Sequence, residues 1–201
     1  MTGSTGNSAG KAKQVPDTTV GPRTAALLRA INLGSTNRIK MPDLRALIAD
    51  LGHSNVDTYL QSGNVAFTPA DPKSKESAVR QQLEQAIADE LGLKIDVMVR
   101  THRELAAVMK LHPFGDRTED HKQLHVSFLA AVPEPDRAGS LEPPAGEEIE
   151  LTVHGRELYL YTPQGLGRTK LSNATIERRL GVKGTARNWR TVTELTKLTE
   201  G

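Results

Sequence analysis

The chain has 201 residues, of which 37% are hydrophobic and 25% charged, and its formal net charge is +2. That length suffices for one large domain or two small ones, and so small a net charge does not by itself indicate nucleic-acid binding. The chain contains no cysteine, which excludes disulfides, cysteine-ligated metals and thiol nucleophiles, and which fits a cytoplasmic protein.

The first 22 residues are rich in Gly, Ser, Thr and Lys and contain almost no side chain that could be buried. Such a segment gains too little from burial to offset the entropy of ordering, so residues 1–22 are predicted to form a disordered tail. No apolar run resembles an export signal or reaches the roughly 20 residues that a membrane helix needs. We therefore expect no membrane association.

Residues 23–100 are predicted to form a first subdomain with the element order β-α-β-β-α-β. The apolar run 24–33 indicates a buried strand, and the spacing of Leu44, Leu47, Ile48 and Leu51 indicates a helix. Two strands then follow, joined by a turn at residues 62–64. Asp71-Pro72 is predicted to open a second helix that ends at Gly92, and residues 94–100 form the last strand. This order is typical of a ferredoxin-like fold, with an antiparallel sheet and both helices on one face.

Residues 101–201 are predicted to form a second α+β subdomain. Thr101 and Glu104 have the spacing of a capping box, and residues 123–132 are strand-like. Residues 133–150 contain four prolines and six acidic side chains, which predicts a solvated loop rather than a helix. A hairpin turning at residues 154–155 follows. Ser172 then caps a helix that Gly181 ends, and a final helix begins at Asn188.

Five segments together carry a resemblance to a known family. They are "LLRAINLGSTNRIKMPDLRALIADLG", "TYLQSGNVAF", "HPFG", "YLYTPQGLGRTKLS" and "TARNWRTV", and they span about residues 24–198. In this order they resemble the bacterial domain-of-unknown-function family 1697, although Ala30 and Ser35 stand where glycine is expected in the family's opening motif. The resemblance implies two ferredoxin-like subdomains. It implies no reaction, cofactor or catalytic residue.

The strongest functional signal is the segregation of charge in the second half. Residues 168–190 contain seven cationic side chains and one acid, next to the glycine turn Gly165-Leu166-Gly167, which precedes a helix. Backbone N–H groups, a helix N-terminus and arginine forks are the donors that a phosphate group needs. A second polar loop, residues 32–40, also lies between a strand and a helix. The candidate ligand-binding residues are Gly165, Gly167, Arg168, Lys170, Arg187, Asn188, Arg190, Asn32 and Arg38.

Alternative interpretations remain for these residues. The basic segment is equally explained as a solvated face, or as a patch that pairs with the acidic residues of 133–150. The glycine turn lacks the spacing of a P-loop or a Rossmann motif. The segment 32–40 is also explained as a plain connecting loop. Ser62 lacks a nucleophile elbow and fits a turn, and the spacing of His112, His121 and His125 does not favour a metal site.

Trp189, the only tryptophan, is predicted to be a core residue. It recurs at three-residue spacing with Val192, Leu195 and Leu198, which gives the last helix one apolar stripe. Its polar flank, Arg187, Asn188 and Arg190, is then expected to cap that helix and to face outward.

These patterns lead to three hypotheses about function. The first is a cytoplasmic protein that binds a small phosphorylated or otherwise anionic ligand through the glycine-rich loop and the basic C-terminal segment. The alternative is a nucleic-acid or protein interaction module that uses the same basic surface, although only 3% of the residues are aromatic, which is few for base stacking. The third is an enzyme, for which the sequence shows no nucleophile–base pair.

Overall fold

The structure, a computed structural model, describes residues 22–115 and 122–200. Its strands are β1 Thr24–Leu28, β2 Ser54–Tyr59, β3 Asn64–Thr68, β4 Val97–Thr101, β5 Leu124–Leu129, β6 Glu150–His154, β7 Glu157–Tyr161 and β8 Gly184–Asn188. Its helices are α1 Met41–Asp50, α2 Glu76–Leu91, α3 His102–Leu111, α4 Pro135–Gly139, α5 Asn173–Leu180 and α6 Trp189–Thr199.

The first sheet has the order β2-β3-β1-β4, and every neighbouring pair is antiparallel. With its connections through α1 and α2, this is the ferredoxin-like arrangement that the sequence predicts. Both helices cover the same face, because Leu44 of α1 and Leu83 of α2 belong to one buried cluster with Val65, Phe67 and Val99 of the sheet.

The second sheet repeats this order as β6-β7-β5-β8 and is also antiparallel throughout. Its first crossover contains only the five-residue helix α4, whereas α5 fills the second crossover. Ile176 and Leu180 of α5 pack with Leu158 and Leu160 of β7 on the outer face of this sheet. The fold class is therefore confirmed as α+β with two ferredoxin-like units.

Helices α3 and α6 contact each other and lie between the two sheets. The cluster that they form is shared by both sheets and contains Ala25, Leu27, Met98, Leu105, Val108, Val126, Tyr159, Trp189, Val192 and Leu195. Trp189 is only 4% exposed, which confirms its predicted place in the core. One apolar layer thus stabilises both halves together.

The two halves match each other element by element, as a β-α-β-β-α-β-α unit used twice. In each half the last strand leads directly into a helix of the central layer. Thr101 caps α3 and Asn188 caps α6, each by accepting a hydrogen bond from a backbone N–H three residues on. The residues immediately before these caps are Arg100 and Arg187, which occupy the fourth position of β4 and of β8.

The structure differs from the sequence-based prediction at several element ends. Strand β1 ends at Leu28 rather than at residue 33, because the backbone takes positive φ at Ala30 (53°) and Asn32 (54°). Helix α2 begins at Glu76 rather than at Asp71. The Asp71 carboxylate instead accepts a hydrogen bond from the Lys73 N–H at 2.9 Å, which forms a local turn before the helix.

Two elements were not predicted from the sequence. Strand β8, residues 184–188, carries Arg and Asn and has no apolar alternation, but it pairs with β5 along its whole length. The prediction of a loop without a helix over residues 133–150 was also wrong, because α4 lies within it. A proline at the start of a helix removes an N–H that would have no intrahelical partner, and Pro135 occupies that position in α4.

Candidate functional site

The glycine-rich loop connects β7 to α5. Gly165 has a φ of 83°, which favours glycine, and residues 166–168 form a single 3₁₀ turn. Ser172 then caps α5, and its hydroxyl accepts a hydrogen bond from the Thr175 N–H at 3.2 Å. The loop therefore has the predicted geometry of a glycine turn ahead of a capped helix.

A cleft of about 400 Å³ opens between this loop and the end of the acidic segment, which we call the glycine-loop cleft. It brings together three of the predicted residues, Gly165, Arg168 and Lys170. Its other wall consists of residues 146–149. Gly167 belongs to the 3₁₀ turn but not to the wall of the cleft.

The carboxylate of Glu147 lies against the glycine-rich loop and is held there as an anion. It accepts hydrogen bonds from the hydroxyl of Thr169 and, at 3.0 Å, from the backbone N–H of Lys170. The Thr169 hydroxyl and then the Lys170 N–H lower the pKa of Glu147 below its ordinary value, because both donors stabilise the ionised form. The acidic segment thus contacts the basic one through backbone and hydroxyl donors.

Arg168 is one of the two cations that line the cleft. Its side chain is exposed, and it forms no ion pair with any other residue of 22–115 or 122–200. It lines the cleft together with the carboxylates Glu147 and Glu148. A guanidinium in this position is free to form a two-pronged contact with an incoming oxyanion.

Arg187 lies elsewhere, and the expectation that it faces outward was wrong. It is 7% exposed and crosses from β8 to the first sheet. Its Nε donates to Asn64 Oδ1 at 2.5 Å, and its Nη2 donates to the carbonyls of Leu28 at 2.8 Å and Ser62 at 3.0 Å. Nη1 donates to the Thr185 hydroxyl at 2.7 Å. Burial lowers the pKa of Arg187 to about 10, because the charged form loses its hydration.

Arg100 makes the corresponding contact from the first sheet to the second, since it extends from β4 to β5 and β7. It is fully buried, and its Nε donates to the Glu157 carboxylate at 2.8 Å, while Nη2 donates to the carbonyls of Leu129 at 2.7 Å and Arg156 at 3.2 Å. Glu157 and Asn64 are each the first residue of the third strand of their unit. Each half therefore inserts one arginine into the hairpin of the other half. We call these two contacts the arginine clasps.

The residues beside Arg187 have separate roles. Asn188 Oδ1 accepts a hydrogen bond from the Thr191 N–H at 2.9 Å, so it caps α6 as predicted. Arg190 is exposed. Trp189 packs edge-on against the His112 ring, with the ring centroids 4.6 Å apart.

The second predicted loop, residues 32–40, is held by Asn32. Its Nδ2 donates to the carbonyls of Ile39 at 2.9 Å and Gln61 at 2.7 Å, and its Oδ1 accepts from the Ile39 N–H. Arg38 is exposed and donates to the Gly34 carbonyl at 3.3 Å. Asn32 therefore joins this loop to the β2–β3 turn, and neither Asn32 nor Arg38 lines the glycine-loop cleft.

The remaining sequence candidates are Ser62 and the histidines. Ser62 accepts a hydrogen bond from Asn64 Nδ2 at 3.0 Å within the β2–β3 turn. His121 lies outside the described residues, and no group of three potential metal ligands occurs among the residues that are described. Within the same ranges, every helix is too short or too polar to cross a bilayer.

Comparisons with known proteins concern the fold and the family. The model of a family described as "Protein of unknown function (DUF1697)" matches residues 22–159. The solved structure of the conserved bacterial protein SP0830 from Streptococcus pneumoniae is similar, with a TM-score of 0.70 and 21% sequence identity. The match covers 89% of this chain and 98% of that one. A search of curated proteins gave no match.

Proposed function

This chain belongs to the DUF1697 family of proteins of unknown function, and we propose that it binds a small anionic ligand, such as a phosphorylated metabolite, in the glycine-loop cleft. One observation carries the proposal: the Thr169 hydroxyl and the Lys170 N–H already bind a carboxylate, that of Glu147. These donors therefore have the geometry that an oxyanion requires.

The cleft is lined by two cations, Arg168 and Lys170, and two carboxylates, Glu147 and Glu148, and we assign the contact with the anion to Arg168. Arg168 has no ionic partner among the described residues, and a phosphate group beside it would gain a charge-assisted contact. Such a contact contributes roughly 1.5–3 kcal/mol. The cleft of about 400 Å³ falls in the usual range of small-ligand sites.

Isothermal titration of the intact chain with inorganic phosphate and a panel of phosphorylated metabolites tests the proposal. Arg168→Ala should weaken the best binder by about tenfold to a hundredfold, because it removes the charged contact. The matched control is Arg178→Ala, which removes the same charge from an exposed position of α5 outside the cleft. This control should change the affinity less than about twofold, because exposed charges are screened.

Two outcomes would contradict the proposal. One is that no anion in the panel binds, and the other is that Arg168→Ala and Arg178→Ala have equal effects. Tight binding of oligonucleotides instead, with an affinity that falls steeply as salt rises, would favour the nucleic-acid interaction module.

A further inference from the structure

A second cleft lies between α3 and the β6–β7 hairpin, and we call it the hairpin cleft. Its volume is about 440 Å³. Glu104, Ala107 and Leu111 line it from α3, since positions i, i+3 and i+7 lie on one side of a helix. Val108 and Tyr159, both buried, form its floor, and Leu111 remains 41% exposed. The wall is therefore apolar and open to solvent.

The internal repeat shows why this gap exists. In the repeat, α6 corresponds to α3. Helix α6 packs directly on β2 and β3, the strands of the first sheet that match β6 and β7. The position that corresponds to Tyr159 is occupied there by Ala66, which is fully buried. The smaller side chain allows the helix to approach the sheet. The Tyr159 ring stands between β7 and α3 instead, where its hydroxyl donates to the Val108 carbonyl at 3.4 Å.

One cation at the rim of the hairpin cleft, Lys110, has no ionic partner in the described part of the chain. Its side chain is exposed. Both carboxylates at the rim contact arginines, Glu104 with Arg156 at 2.5 Å and Glu157 with Arg100 at 2.8 Å, and Glu76 shares these guanidiniums at 2.6 Å and 3.8 Å. An anionic group near the Lys110 ammonium would gain an ionic contact that this lysine does not make with any other described residue.

We infer that the hairpin cleft binds an amphipathic organic anion, with its apolar body against Ala107, Leu111 and Tyr159 and its anionic group at Lys110. A carboxylate or sulfonate on an aromatic or alkyl body has this chemistry. Apolar walls with a few polar groups at the rim are typical of small-molecule sites. This site shares no residue with the glycine-loop cleft, so the inference stands apart from the function proposed above.

The test uses 1-anilinonaphthalene-8-sulfonate, an aromatic anion that fluoresces when it binds apolar surface, with decanoate as a competitor. The folded wild-type chain should bind the dye saturably, and decanoate should displace it. Ala107→Trp should abolish binding, because the indole would fill the cleft. Lys110→Glu should weaken binding by roughly tenfold, because it reverses the charge that faces the anionic group.

The matched controls are Ala174→Trp on α5 and Lys73→Glu, both at exposed positions outside the hairpin cleft. Both should bind the dye like the wild type. Circular dichroism establishes that each variant is folded, and if Ala107→Trp does not fold, Lys110→Glu decides. The inference is wrong if the wild type binds neither compound, or if the cleft variants and their controls bind the dye equally.

Discussion

At the scale of single residues, the two arginine clasps differ in one partner. Arg100 meets the carboxylate of Glu157, whereas Arg187 meets the neutral amide of Asn64. Asn64 also donates through Nδ2 to the Tyr59 carbonyl at 2.9 Å, a contact that a carboxylate could not make. Arg187 is therefore a buried cation that is held only by neutral acceptors, and several backbone carbonyls depend on it.

Arg187→Ala should destabilise the protein by at least about 3 kcal/mol, because each buried acceptor that loses its donor costs roughly 1–3 kcal/mol. Arg190→Ala is the matched control, since it removes the same side chain from an exposed position three residues later and should stay within about 0.5 kcal/mol of the wild type. Urea unfolding measures both. Equal effects of the two substitutions would refute the role of Arg187 in joining the sheets.

The sequence predicted the burial of Trp189 correctly and that of Arg187 wrongly, and the difference has one physical reason. Helical spacing with Val192 and Leu195 identifies a buried stripe from local pattern alone. The partners of Arg187 in the first half, among them Leu28 and Asn64, lie more than 100 positions away in the chain. A charged side chain carries no local sign of such a partner, so Arg187 was expected on the surface.

At the scale of elements, helix ends were predictable where the signal is local chemistry. The capping box of Thr101 and Glu104, the Ser172 cap and the glycine stops at Gly92 and Gly181 all occur where the sequence predicted them. Strand β8 was not predictable, because it forms through its pairing with β5 and not from a local sequence pattern. The contact of Glu147 with residues 169–170 agrees with the alternative that the basic segment pairs with the acidic residues of 133–150, although the sequence did not show which carboxylate would make it.

Gly63 in the β2–β3 turn is required for two reasons, its left-handed backbone and the lack of space for a Cβ. Gly63 has a φ of 76°, and a Cβ there would lie 2.8 Å from Leu28 Cβ and 2.7 Å from Ile31 Cδ1. Gly92, at the end of α2, has a φ of 66° but open space around it. The two glycines therefore separate the cost of backbone strain from the cost of a steric clash.

Gly92→Ala should cost about 1–2 kcal/mol, the usual penalty of left-handed backbone for a residue with a Cβ. Gly63→Ala should cost at least about 2 kcal/mol more, because β1 must also move to relieve the clash. Thermal and urea unfolding of the two variants give the comparison. Similar losses for both would mean that the packing around the β2–β3 turn is loose.

At the scale of the whole molecule, the repeat of the β-α-β-β-α-β-α unit was not evident in the sequence. Matching positions hold different residues, as with Tyr159 and Ala66, and α4 is much shorter than α1. What the halves share is topology, which the pairing of strands determines. The order of strands and helices predicted the ferredoxin-like fold of the first half from periodicity and turns, whereas for the second half this fold was implied by the family resemblance.

The shared central layer should make the two halves unfold as one unit. Trp189 fluorescence, which reports that layer, and far-ultraviolet circular dichroism, which reports all elements, should give coincident urea transitions. Arg168→Ala provides the control, because it changes a cleft outside the layer and should leave both transitions coincident. An earlier transition in either signal would show that the halves unfold separately.

The position of α6 between the sheets also has a consequence for synthesis on the ribosome. The strands of the first sheet are complete once Thr101 has been added, but the face that carries Ala25, Leu27 and Met98 is covered partly by Trp189 and Val192. Translation adds about 5–20 residues per second, so the roughly 90 intervening residues take several seconds to more than ten. Throughout that interval the nascent chain presents an apolar sheet to solvent, which is the kind of surface that chaperones bind during early folding.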